Sequence, residues 1–205
     1  QIESVQIISP TSAPVTEIQE IQQTGTIVVS PSSGGKGEVR SFDFTNGFEN
    51  SIQPFGEVKT GVQFTVADLE NDGAQELLFG QNGNVVITDQ SGIVRTKFKT
   101  GFNKKDILSV AVGDINNDQQ AEIVVASESS KLIRIFQKDG KKISEFTGTP
   151  EKKVKGLRVA VAAVATDHIP KIITTHTGGK FSTDVWVYSD KGKLVSSFQA
   201  FSGKE

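Results

Sequence analysis

The apolar positions of this chain fall in short runs of strand length, and the runs repeat. QFTVADLENDGAQELLFG from Gln63, SVAVGDINNDQQAEIVVAS from Ser109 and RVAVAAVATDHIPKIITTH from Arg158 each read as strand, turn, strand, with starts 46 and then 49 residues apart. Each copy runs on into a hairpin: NVVITDQSGIVRTKFKT, KLIRIFQKDGKKISEFTG and DVWVYSDKGKLVSSFQAF. The turns at Ser91-Gly92, Asp139-Gly140 and Lys191-Gly192 supply the positive-φ glycine that hairpin connections favour. A phenylalanine follows each glycine by six residues, at Phe98, Phe146 and Phe198. A fourth hairpin, EVRSFDFTNGFENSIQPF, stands upstream with Asn46-Gly47 at its turn and the aromatic displaced to Phe55.

Four short strands per unit at this period predict an all-β chain: a β-propeller, or a propeller segment, of about four four-stranded blades. The modules are placed at about 25–60, 61–106, 107–155 and 156–205. Modules one and four carry longer Gly-rich connections, SPSSGGKGE and THTGGKFST, where a ligand could be read or an insertion merely tolerated. Residues 1–24 differ in character, with SVQII and VTEIQEI separated by SPTSAP. They read as a linker, a degenerate strand or a segment that pairs with the edge of another subunit.

Chemistry concentrates in two turns, DLENDGAQE and DINNDQQAE. Calcium takes about six to eight oxygens from a flexible shell. Positions one, three and five of the turns offer Asp68, Glu70 and Asp72, and Asp114, Asn116 and Asp118. Position seven, Ala74 or Gln120, would give its main-chain carbonyl, and position nine, Glu76 or Glu122, a closing carboxylate. The alternative is that these residues only make good turns by bonding local N–H groups. One or two calcium sites are expected, the first tighter because it has four carboxylates and Gly73 at the bend where the second has Gln119. In the third copy Ala163, Ala165, Asp167 and Lys171 hold the four side-chain positions, so that turn is expected to remain metal-free.

VADLENDGAQELLFG and VAVGDINNDQQAEIVVAS resemble FG-GAP repeats, also grouped as the VCBS type, which form propeller blades in the integrin α-subunit head and in many bacterial surface proteins. GTIVVSPSSGGKGEVRSFDFTNG is similar to the Gly-rich section of bacterial members, so the resemblance covers roughly residues 25 to 201. It implies calcium at the blade edge, on Asp68, Glu70, Asp72 and Glu76 and on Asp114, Asn116, Asp118 and Glu122, and loops that bind protein or carbohydrate. Glu70 is longer than the usual Asp or Asn, and Gln119 replaces the usual glycine. The family commonly has seven blades, which leaves closure of about four open.

Composition narrows the reading. A net charge of −2 gives no reason to expect nucleic acid, and the lysine clusters at Lys104-Lys105, Lys141-Lys142 and Lys152-Lys153-Val154-Lys155 lack aromatic interleaving. Cysteine is absent, which excludes disulfides and thiolate metal sites. No apolar run is long enough to span a bilayer. The chain has no methionine and opens on Gln1, so a leader has been removed or the chain is a piece of something longer. His168 and His176 come without a catalytic motif, and no enzymatic activity is expected. Trp186 and Tyr188 share one strand face, for blade packing or for a sugar platform. The resulting expectation is an exported, calcium-binding propeller at the cell surface or outside the cell, used for binding or adhesion. The alternative is a structural subunit of a surface layer or filament, a homo-oligomer assembled through its N-terminal segment.

Overall fold

The computed structural model describes residues 26–31, 36–43, 47–58, 61–177 and 184–201. The segment 1–24, Asn46 and most of the two Gly-rich connections therefore lie outside the described residues. The chain divides into two compact units, Gln1–Val62 and Gln63–Glu205. In the first, β1 (Thr26–Val29), β2 (Val39–Asp43) and β3 (Gly47–Ile52) form a three-stranded antiparallel sheet in that order. The fourth strand expected for this module is not among the described residues. Phe42 meets Phe48 edge-on across the sheet, and the Ser30 hydroxyl donates to the Val62 carbonyl at 2.8 Å.

The second unit contains three four-stranded antiparallel sheets, each a simple meander. They are β4 (Gln63–Ala67) to β7 (Val94–Lys99) through β5 (Glu76–Gln81) and β6 (Asn84–Thr88); β8 (Leu108–Gly113) to β11 (Lys142–Thr147) through β9 (Glu122–Ser127) and β10 (Leu132–Phe136); and β12 (Gly156–Ala162) to β15 (Leu194–Gln199) through β13 (Lys171–Thr177) and β14 (Asp184–Tyr188). The first strands converge, β8 lying against both β4 and β12. Among the described residues no helix is long and apolar enough to cross a membrane.

Strand alternation explains the stacking. Leu78, Val85 and Ile87 of one sheet meet Leu108, Val110, Ile123, Val125 and Phe136 of the next. From the opposite face of that second sheet, Val124, Ala126, Ile133 and Ile135 meet Leu157, Ile172, Trp186 and Tyr188. The middle sheet is thus covered on both sides, and all six residues of β9 are buried. That is why EIVVAS reads as a continuous run rather than an alternation. Trp186 and Tyr188, each 4% exposed, are committed to this packing rather than to a sugar platform.

The hairpin glycines fit the sheets together. Gly92, Gly140 and Gly192 have φ of 87°, 86° and 73°, as the turns require. Two also lie under a ring of the preceding sheet: a Cβ on Gly140 would stand 2.5 Å from the Phe98 Cβ, and one on Gly192 would stand 2.4 Å from the Phe146 Cγ. Those phenylalanines pack at a tilt on the aromatic four residues ahead of the glycine, Phe98 on Phe136 at 5.1 Å and Phe146 on Tyr188 at 5.2 Å between centroids. Gly47 has the same left-handed backbone, φ 80°, with open space around its Cβ position. Gly47→Ala should therefore cost only the dihedral strain, about 1 to 2 kcal/mol. Gly140→Ala should cost clearly more, because the methyl group displaces Phe98 as well. Equilibrium urea unfolding of the two variants measures the difference.

Candidate metal-binding loops

Each of the three turns spans the gap between the first and second strands of its sheet, and position nine opens the second strand. Glu76 pairs with Ala67, Glu122 with Gly113 and Lys171 with Ala162 at the last rung of the respective ladders. The turns share a left-handed residue at position six, with φ of 89° at Gly73, 70° at Gln119 and 56° at His168. His168 thus holds a bend. The two acidic turns also share a left-handed asparagine at position four, Asn71 at 57° and Asn117 at 62°. Asparagine is among the few side chains that adopt this conformation readily. The sequence reading passed over this pair, although asparagine at one register position in both loops was a legible signal.

In the first loop Asp68 accepts from the N–H groups of Asp72 and Gly73 at 3.1 and 2.8 Å, Asp72 accepts from Ala74 N–H at 2.9 Å, and Glu76 reaches back to Leu69 N–H at 2.9 Å. The second loop repeats this scheme: Asp114 takes the N–H groups of Asp118 and Gln119, Asp118 that of Gln120, and Glu122 that of Ile115. Its Asn116 amide donates to both Asp118 and Glu122, at 3.1 and 2.8 Å, so these three side chains are gathered together. Glu70, by contrast, points to Lys138 at 3.3 Å. The carboxylates thus serve as turn-formers, the role sequence reasoning set beside calcium. In this arrangement no group of three or more His, Cys, Asp or Glu among the described residues is gathered closely enough to hold a metal ion.

The donor chemistry nonetheless suits a hard cation. Both loops offer only oxygen donors of the kind calcium takes. Glu122 is 4% exposed, and burial, with Asp118, Asp114 and Asp190 nearby, pushes its carboxyl up to about 7 against the Ile115 hydrogen bond. Asp190 comes from the β14–β15 turn of the next sheet. Lys138 holds the matching place in the β10–β11 turn, two residues before the hairpin glycine in each case. The same seat therefore faces the first loop with a cation and the second with an acid. Neither neighbour could be found from the loops alone.

The third loop contains its own cation. The Lys171 ammonium donates to both Asp167 oxygens at 3.1 and 2.8 Å and to the Ile169 carbonyl at 2.9 Å, on a side chain only 9% exposed. The Lys171 hydrogen bond, with that of the Ile169 N–H, holds Asp167 below the usual carboxylate range. His176 lies apart, its ring stacked on Trp186 at 4.6 Å, and burial lowers its pKa.

The chain matches no protein-family profile and no curated protein. Solved structures are similar in fold. The Neurospora crassa Pan2 WD40 domain aligns with a TM-score of 0.60 at 13% identity, over 87% of this chain and 47% of its own. BBS1N, solved in complex with ARL6DN, gives 0.58 at 14%, over 90% and 49%. A Bacteroides caccae protein of unknown function gives 0.56 at 12%, over 86% and 57%. The fold class is that of β-propellers, and the chain spans about half the length of the solved chains it matches.

The folded pKa of Glu122 lies above its ordinary value of 4.5, so the folded state binds this proton more tightly than the unfolded chain does. Stability in chelator should therefore fall as pH rises from about 4.5 to 7, by at most about 1.4 kcal/mol per unit. Melting curves across that range should flatten in Glu122→Gln. Lys171→Met keeps the stem and removes the ammonium, which should destabilise the chain by about 1 to 3 kcal/mol. Denaturant titration should give the same loss with and without calcium.

Proposed function

We propose that the chain is a calcium-stabilised propeller segment of the FG-GAP type, working at the cell surface or outside the cell as a binding module for a protein or carbohydrate partner. The carrying observation is the contrast among three loops on one backbone plan. Where the acids are lost, the chain supplies the Lys171 ammonium; where they are kept, Glu122 is buried among acids. A dication would offset that charge. Asp68, Glu70, Asp72 and Glu76 with the Ala74 carbonyl would hold one ion, and Asp114, Asn116, Asp118 and Glu122 with the Gln120 carbonyl a second. The role of the ion is cohesion: it replaces N–H groups as the partner of the carboxylates and ties the turn to its two strands. Extracellular modules work with calcium affinities of about 0.1 to 1 mM, within reach of such exposed loops. A protein ligand accords with BBS1N, whose structure was solved with ARL6DN.

The reading also sets an order between the sites. The strain at Gln119 exists without metal, so it bears on folding rather than on affinity. Charge then discriminates: Lys138 offsets Glu70 at the first loop, whereas Asp190 adds to the second. We therefore place the tighter site at Asp114, the reverse of the order expected from the loop residues alone.

Calcium at a hundred times its dissociation constant should stabilise the chain by about 2.7 kcal/mol per site, roughly 5 to 10 °C in melting temperature at about 2 to 4 °C per kcal/mol. An unchanged melt between chelator and millimolar calcium would sink the calcium reading. Calorimetry of Asp68→Ala and Asp114→Ala should find the tighter residual site in Asp68→Ala, and Asp190→Lys should weaken that site.

A further inference from the structure

We infer, on the footing of the binding-module reading, that the end of the second unit remote from the acidic turns is a docking surface for an acidic polysaccharide, whose repeated carboxylates meet lysines on three successive connections. Calcium takes no part in it. The turns of an antiparallel meander alternate between the two ends of its sheet, so the β7–β8, β9–β10 and β11–β12 connections all lie at the end opposite the turns that hold Asp68 and Asp114. Lysine clusters distant in the chain arrive there together: Lys104 and Lys105 on the first connection, Lys152, Lys153 and Lys155 on the third. The second connection ties them to each other. The Lys131 ammonium donates to the Lys152 carbonyl, and the Glu128 N–H donates to the Ile107 carbonyl at 3.2 Å.

All five of these lysines are exposed, and the acids nearest to them in the chain are already engaged. Asp106 is 8% exposed and accepts from the Ser127 and Ser129 hydroxyls at 2.7 and 2.6 Å and from the Asn103 N–H at 3.2 Å. Glu128 pairs with Arg158 at 3.2 Å, and Arg134 pairs with Glu145 at 3.1 Å. Glu151 is the one exposed acid left in these connections, and no salt bridge among the described residues reaches the five lysines. Six-residue strands such as β5 and β9 hold the two ends of the unit roughly 20 Å apart. That exceeds the screening length of about 8 Å at physiological ionic strength, so the acidic turns do not neutralise this end. The whole-chain charge of −2 conceals a local positive excess.

The side chains present decide the class of partner. With Arg134 and Arg158 committed, only lysines are left, and each is a hydrated point charge rather than a bidentate fork. Such a surface holds one extended chain of spaced charges through many weak contacts at once. Apart from Pro150, these connections expose no apolar side chain to anchor a protein interface or stack a nucleic-acid base. Phe102 lies under the Arg134 guanidinium at 4.3 Å, and Val154 packs against the core.

The probe is polygalacturonate, cast into native gels in chelator so that calcium cannot bridge it to the acidic turns. The full chain should be retarded by it and not by neutral dextran, with an affinity that falls steeply as salt rises. A variant carrying Lys104→Gln, Lys152→Gln and Lys153→Gln should bind about tenfold more weakly or worse. A second variant, with Lys141→Gln, Lys191→Gln and Lys193→Gln, removes the same charge from exposed lysines in the hairpin turns at the other end, and its affinity should stay within about twofold. Both variants should melt as the parent chain does. Absence of retardation, or equal losses in the two variants, would overturn the proposal. Tighter binding to duplex DNA than to polygalacturonate would overturn it in favour of a nucleic acid. Binding that appears only when calcium is restored would overturn it as well and leave the calcium reading standing, because the acidic turns would then be the site.

Discussion

A four-stranded meander with apolar residues on both faces cannot hide them by itself, and the second unit is organised around that constraint. The middle sheet supplies a wall to each of two cores, and each of its neighbours supplies the facing wall of one. The sheets meet through aliphatic layers whose register is set by one ring-on-glycine contact at the outer rim. Packing at the rim requires a residue with no Cβ, and the hairpin requires a residue with positive φ; glycine meets both needs at Gly140 and Gly192. Because the turn that ends one hairpin seats the ring of the previous sheet, local turn chemistry and long-range packing agree at the same residue, as a well-specified fold requires.

Much of this was legible in the sequence. The recurring strand-turn-strand phrase, the glycine that closes each hairpin and the phenylalanine six residues on gave the meander order and the number of modules, since period-two patterns and left-handed turns are local properties. The partnership of Phe98 with Phe136 was not legible, because it joins residues of two modules. The fourth strand of the N-terminal module was counted from the repeat and is not among the described residues. For Trp186 and Tyr188 the shared face could be read from their spacing; which side of the sheet that face took depended on the register of β13 with β14.

The loops divide in the same way. Asp68, Asp72 and Glu76, and Asp114, Asp118 and Glu122, could be picked out because their spacing is that of a turn whose oxygens alternate. Their hydrogen bonds to Leu69, Gly73, Ile115 and Gln119 follow from the same spacing. What the spacing could not supply was the neighbouring sheet. Lys138 and Asp190 belong to hairpins roughly one module further along, and their opposite charges distinguish two loops that look alike in isolation. An electrostatic reading confined to a motif omits whatever the next module brings to it.

The lysine of the third loop carries a different kind of consequence. A dissolved ion is present only as far as its surroundings provide it, whereas an ammonium on the chain arrives at full occupancy with every molecule synthesised and cannot be diluted away. The turn closed by Lys171 is thus provisioned before the protein meets any medium. If the calcium proposal holds, the two acidic loops would instead be completed only where such ions abound. One turn of the unit is fixed by heredity; on that proposal the other two are left to habitat.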